Sequence, residues 1–269
     1  IRNSLFVIAE AFESIGVSHL LCYEVTDRDG KEKALEGLRE SADYLKLHQG
    51  LVGLHASFTV SQETLEQATD LAKTNKTGLH VHVAEDGYDQ EHCVSIYGKR
   101  VVERFHQAGV LELPASILVH CLHLDQGEKE LIRNSPCWMA ENMESNLKNK
   151  VGLFDGRELG SRIMLGTDGM HSDMLQSARY AYFSGLRTEG FGFGEVSQRF
   201  RNVHRYIASN GFTGDGPNNL VVLGYDHHTP LTQENLLGHL FFGMQSGHVR
   251  DVISGGKLIV KNRELLTAD

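Results

Sequence analysis

The chain is poor in residues that staple or anchor a polypeptide. It has only 4 Cys and 4 Pro in 269 residues. Cys22, Cys93, Cys121 and Cys137 form no CxxC pair, so neither a zinc ribbon nor a redox motif is indicated. Four unpatterned cysteines suit a reducing, cytoplasmic setting, and a chain this long can build its core without disulfides. No run of about 18 apolar residues occurs, so no transmembrane helix and no membrane partner are expected. Ile1-Arg2-Asn3-Ser4 shows no basic n-region followed by an apolar stretch, so no signal peptide is expected there. It also lacks an initiator Met, as expected of a sequence that begins inside a longer protein. Basic charge is scarce. There are 26 Lys and Arg against 35 Asp and Glu, a net charge of −9, which disfavours a nucleic-acid partner. The longest basic cluster, Arg199-Arg201-Arg205, is interrupted and reads as one helix face.

Two catalytic patterns are missing as well. No GxSxG elbow is present, which disfavours Ser-His-Asp hydrolysis of that kind. Gly190-Phe191-Gly192-Phe193-Gly194 lacks both a GK[ST] ending and a preceding strand, so it is expected to be a mobile loop rather than a phosphate cradle. The sequence is instead rich in histidine, with 15. Apolar content of 41% and charged content of 23% fit a globular protein and argue against disorder.

Most of the chain repeats one phrase of short apolar run, polar loop and amphipathic helix. An opening helix places Leu5, Ile8, Phe12 and Ile15 on one face and stops at Gly16. Strands are expected at 18–23, 51–55, 78–83, 116–121, 137–141 and 162–166. Helices are expected at 31–47, after the cap Ser61, at 97–109, after the Asp125/Glu128 capping box, at 173–186 and at 195–209. This alternation predicts a parallel α/β sheet. After about residue 215 the style changes. Leu220–Leu223 reads as a strand, Asn235–Met244 as a short helix, and Val249–Ser254 and Lys257–Lys261 as a hairpin around Gly255-Gly256.

Polar residues gather at strand ends, where parallel barrels place their chemistry. One run ends in His55, another in His80-Val81-His82-Val83-Ala84-Glu85, a third in His120-Cys121-Leu122-His123, and a fourth in Thr167-Asp168-Gly169. Taken singly, a strand-end His is usually structural, and Asp168 before Gly169 reads equally as a turn residue or helix cap. His80 and His82 share a face by the period of two, whereas Glu85 reaches the mouth only if its strand stops near Ala84. Together, imidazoles on separate strand ends and a carboxylate on another form a plausible metal constellation. Trp138 is most simply a core or pocket-wall residue.

These segments resemble the amidohydrolase superfamily, in the aminohydrolase branch that holds chlorohydrolases and cytosine and guanine deaminases. The carriers are Gly78–Glu85, Leu118–His123 and Leu165–Gly169, which look like the fifth, sixth and eighth strand ends of that family's barrel. Ser145-Asn146 and Leu54–Thr59 also fit. The likeness covers nearly all of the chain. It implies a (β/α)8 TIM-type barrel with one divalent metal, usually zinc and alternatively iron. It also implies a homodimer and a small heterocyclic substrate.

Carried over by motif, His82 and Asp168 would hold the metal, and His120 would sit beside the metal-bound water, as a third ligand or as its hydrogen-bond partner. His120 and Asp168 would also orient and deprotonate the attacking water, and Glu85 would shuttle protons to the leaving nitrogen. His55 and Glu85 would contact substrate, and His80 would support the site from behind. The implied activity is deamination of an amino-substituted purine, pyrimidine or related ring. Two alternatives stand beside it: hydrolytic dechlorination on the same fold, and a catalytically incomplete barrel acting as a binding or interface protein.

Two departures from the family pattern matter. The first-strand His-x-His pair is absent, and only six strand–helix units can be counted. The chain is therefore expected to comprise barrel strands three to eight over 1–214, with part of a small β-sandwich domain over 215–269. In addition, Glu141-Asn142 stands where the family often has His-Asn, which is expected to alter the pocket floor.

Overall fold

The computed structural model describes residues 3–268. Helix α1, Ser4–Ile15, ends on Gly16 in the left-handed conformation (φ 79°). It buries Leu5 and Ala9, while Ile8 is 43% exposed. The expected Leu5-Ile8-Phe12-Ile15 face is thus rotated. Leu5 and Ala9 pack with Tyr44 of α2, Lys31–Leu45.

Between these helices the expected strand at 18–23 pairs at only two points, Leu21 with Gly50 and Val25 with Leu54, both parallel. A Cβ on Gly53 would stand 2.3 Å from the Tyr23 carbonyl oxygen, so only glycine admits this close edge approach.

Then follow β1 (Val52–Ala56), α3 (Gln62–Thr74), β2 (Leu79–Val83), α4 (Gly87–Tyr97), α5 (Val101–Gln107), β3 (Ile117–His120), α6 (Gln126–Asn134), β4 (Trp138–Glu141), α7 (Met143–Asn149) and β5 (Ile163–Leu165). The strands form one parallel sheet in the order β1-β2-β3-β4-β5. Ser61 and Asp125 cap α3 and α6 as their sequences predict. The helix expected over 97–109 begins instead at Val101, because Gly98 (φ 67°) has already ended α4. No apolar stripe announced α4: its Tyr88, Val94 and Ile96 are all exposed.

Alternation along each strand makes two layers. In β2, Leu79, Val81 and Val83 are buried against the helices, together with Leu65, Ala68, Val102 and Phe105. His80 and His82 face the other way and are half-buried. That inner face also holds a separate apolar cluster of Leu51, Ile117, Val119, Trp138, Met164 and Tyr206.

Two long helices close this part, α8 (Met174–Thr188) and α9 (Phe193–Ser209). The glycine–phenylalanine run is not a loose loop. Phe193 opens α9 and stacks on Tyr182 and Phe241, and Phe191 is buried where a Cβ on Gly185 would meet its ring. The basic cluster is likewise not one solvated face. Arg201 and Arg205 are exposed, but Arg199 is buried and binds Glu141 (2.8 Å) and Glu189 (2.9 Å).

The remaining strands, β6 (Leu220–Leu223), β7 (Val249–Ser254), β8 (Lys257–Lys261) and β9 (Glu264–Leu265), form an antiparallel sheet. Gly255 (φ 56°) and Gly256 (φ 82°) make the β7–β8 turn, with the two positive φ values of a type I′ hairpin. The helix expected over 235–244 is only a three-residue turn, Leu236–Gly238, followed by a π-turn to Gly243. Among the described residues no helix is long and apolar enough to cross a membrane.

Glu141 and Arg199 yield a stability test. Burial pushes the Glu141 carboxyl up to about 7, with Glu189 adding to the effect and Arg199 opposing it. Replacing Arg199 by Ala strands a buried carboxylate and should cost about 3–5 kcal/mol in urea unfolding at pH 8. In the variant the folded carboxyl sits far above its unfolded value. Stability should therefore rise as pH falls towards the ordinary carboxylate range. A deficit independent of pH would contradict the assignment.

Candidate functional site

The C-terminal edge of the parallel sheet carries the polar constellation, and its backbone is strained there. Ala84 (φ 48°), His120 (φ 69°), Cys121 (φ 53°) and Asp168 (φ 55°) all adopt the left-handed region, at the ends of β2, β3 and β5. Non-glycine residues hold that conformation at about 1–3 kcal/mol each only when their surroundings over-determine it, and such strain clusters at functional sites.

The consequence at β2 is direct. The strand stops at Val83, and the left-handed Ala84 redirects the chain, so that Glu85 Oε2 stands 3.5 Å from His120 Nε2. Asp89, in the first turn of α4, secures this reversal. Its buried carboxylate accepts hydrogen bonds from the Ala84 N–H (2.9 Å) and the Phe58 N–H (3.0 Å). Burial pushes the Asp89 carboxyl up to about 6 against the pull of those bonds.

His120 is 1% exposed. Its Nδ1–H donates to Asn146 Oδ1 (2.7 Å), which leaves the lone pair on Nε2. Among the described residues that buried Nε2 has no hydrogen-bond partner. It faces Glu85 and also Asp168, whose Oδ2 is 3.9 Å away. Burial lowers the His120 pKa, opposed by Glu85 and the Asn146 bond, so the ring is neutral at pH 7.

Asp168 is set the other way. Burial raises its pKa, but hydrogen bonds from Ser145 Oγ (2.5 Å) and the Gly169 N–H (2.6 Å), helped by His120 and His82, outweigh it and hold the carboxyl below its usual range. Adjacent residues of α7 thus brace two strand ends, Ser145 holding Asp168 and Asn146 holding His120.

Donor atoms of Glu85, His120 and Asp168 all lie within 4.8 Å of one another. His82 falls outside that group, with its ring centroid 5.3 Å from that of His120. Its Nδ1–H donates to the His55 carbonyl (2.6 Å), again leaving the lone pair on Nε2. His55 packs edge-on against His82 at 5.4 Å, and its own Nδ1 is 2.7 Å from Thr59 Oγ1. His80 lies behind, its pKa lowered to about 4 by burial and then by the neighbouring His82 and His120.

A cavity of about 720 Å³ opens over the inner face, lined by Glu24, His80, His82, Asn142 and Asp168 among others. Glu141 does not line it, because its side chain is turned into the helix layer towards Arg199. The expected change of pocket floor at that position is therefore not made by its carboxylate. Sequence reasoning gave no role to Asp89 or Asn142 and named Ser145-Asn146 without one. Glu144 of α7, 2.9 Å from His171 Nε2, was given no role either. Asn142 directly follows β4, but Asp89, Glu144, Ser145 and Asn146 lie on helices, away from the strand ends that the sequence marks.

The sequence pattern of the Amidohydrolase family matches residues 3–193. The chain belongs to this family. It is 31% identical to a 5-methylthioadenosine/S-adenosylhomocysteine deaminase of Pelotomaculum thermopropionicum, over 81% of this chain and 54% of that relative. An adenosine deaminase from Xanthomonas campestris, solved with bound zinc, superposes with a TM-score of 0.86 at 20% identity, over 99% of this chain and 66% of the other. An atrazine chlorohydrolase from Arthrobacter aurescens, complexed with zinc, gives 0.80 at 14% identity over 98% and 66%. This amidohydrolase chain thus spans about half to two thirds of the length of these relatives. The likeness places its parallel sheet in the (β/α)8 barrel class, as expected.

The Asn146 bond gives this site a direct test. Replacing Asn146 by Leu leaves the buried His120 Nδ1–H without an acceptor, and urea unfolding should show a loss of about 1–3 kcal/mol. An unchanged midpoint would mean that another acceptor replaces Asn146.

Proposed function

We propose that the strand-end cluster is the centre of a metal-dependent aminohydrolase that replaces the amino group of an amino-substituted heterocycle by a carbonyl oxygen. The observation that carries this reading is the buried, unpartnered Nε2 of His120, facing two carboxylates. A buried polar atom without a partner is costly, and an ion would satisfy it. The donor chemistry fits. His82 and His120 each direct a proton from Nδ1 to a protein acceptor and keep a lone pair on Nε2, while Asp168 is ionised. Imidazole and carboxylate ligands suit zinc, and the zinc named for the solved relatives favours it over iron. His82, His120 and Asp168 would hold the ion.

When bound, a divalent ion supplies Lewis acidity that brings the pKa of water towards about 7. The side chains do the rest. Asp168 would accept a hydrogen bond from the attacking water, and His120, whose one lone pair would be spent on the ion, would fix the side from which that water approaches. Glu85, set opposite His120 by the turn at Ala84, would take one proton from the water and deliver it to a ring nitrogen, then take the remaining proton of the added hydroxyl and deliver it to the amine, so that the C–N bond breaks, ammonia leaves and the carbonyl forms. His55 and Glu85 contact the ring. The deaminase named in the 31%-identical relative makes a 6-aminopurine nucleoside the first substrate to try. A leaving amine needs a proton and a leaving chloride does not, so a carboxylate placed at Glu85 supports deamination over dechlorination.

The test uses the full native chain and 5′-modified adenosines, followed by ammonia release. Glu85→Gln should lower turnover at least 10³-fold while leaving bound metal unchanged. Asp168→Asn should lose metal and activity together. Metal loss in Glu85→Gln would overturn its role as proton carrier. Chloride release from a halogenated triazine, with no ammonia from any aminopurine, would overturn deamination.

A further inference from the structure

A second group of donor atoms lies at the opposite, N-terminal edge of the sheet. It comprises Glu13 in the last turn of α1, His19 just before the edge segment, and His48 just before β1. Each offers one ligand atom, and the three lie within 4.8 Å of one another. The plain reading is a surface ion pair, which the geometry permits between Glu13 and a protonated His48 but without a hydrogen bond. His48 Nδ1 and Glu13 Oε1 are 3.7 Å apart, beyond hydrogen-bond range. Among the described residues, neither nitrogen of His19 has a hydrogen-bond partner.

Both imidazoles are nonetheless held in place. His19 stacks on Phe12 at 5.7 Å and 17°, and His48 stacks on Tyr44 at 4.7 Å and 13°. A cavity of about 590 Å³ adjoins all three residues and admits water for the remaining coordination positions. Lys257 lines the same cavity but is exposed, so its charge is screened.

We propose that Glu13, His19 and His48 bind a divalent transition-metal ion, zinc by preference, as a structural site. Tetrahedral zinc with ligands at about 2.0–2.1 Å sets neighbouring donors roughly 3.4 Å apart. The His48–Glu13 separation is already close to that, and closing the remainder takes rotation of the exposed Glu13 together with a small turn of one imidazole towards the other. Two imidazoles and a carboxylate also accept copper and nickel. The ion would tie α1, the following loop and the segment after α2 into one clamp. This site shares no residue with the strand-end cluster and does not rest on the hydrolytic reading.

The test is a Zn²⁺ titration of the metal-stripped full chain, with metal content measured after dialysis and melting temperature recorded. In the His82→Gln/Asp168→Asn background, one equivalent of Zn²⁺ should still bind and raise the melting temperature. Adding His48→Gln should weaken that binding at least tenfold and abolish the rise, whereas the exposed His106→Gln should not. The site is overturned if that background binds no zinc, or if His48→Gln and His106→Gln behave alike. If the wild type binds a single equivalent that only His48→Gln removes, this site stands and the strand-end centre fails.

Discussion

One hydrogen bond decides what the strand-end cluster can do: His120 Nδ1–H to Asn146 Oδ1. It places the imidazole proton on the side facing α7 and leaves the buried Nε2 as a bare lone pair. It crosses from the end of β3 to a helix that follows β4, so it exists only when those two strands are in register. Its neighbour Ser145 ties the same helix to Asp168 beyond β5. One turn of α7 therefore sets the orientation of two groups contributed by two different strands.

The strain at Ala84, His120 and Asp168 belongs to the same design. Each residue ends a buried strand whose outer face is packed on helices, so the strand cannot shift to relieve it. Asp89 shows how the strain is contained, since one carboxylate binds the amides of both Ala84 and Phe58 and fixes two strand-end loops together. A rigid edge of this kind keeps donors a few ångströms apart without letting them collapse into ordinary salt bridges, which is what an ion or a reacting water requires.

Much of this was legible in the chain itself. Period-two alternation put His80 and His82 on one face of β2, and capping chemistry located α3 and α6. The order of the strand-end motifs indicated the family and its barrel. The errors have physical causes. The apolar positions of α1 suggested Ile8 as a core residue, but Ala9 is buried in its place. Nothing in a local window marks Arg199 as buried, because its partners Glu141 and Glu189 lie 58 and 10 residues away.

Local chemistry by itself settled which residues carry donors and which strand ends present them, because strand periodicity and turn preferences act over a few residues. Tertiary structure alone decided which nitrogen of His120 is free and which way Glu85 and Glu141 point. It also decided that Glu13, His19 and His48 meet at all. Each depends on a backbone reversal or a partner supplied by another element, and those exist only once the sheet has closed its register and the helices have packed.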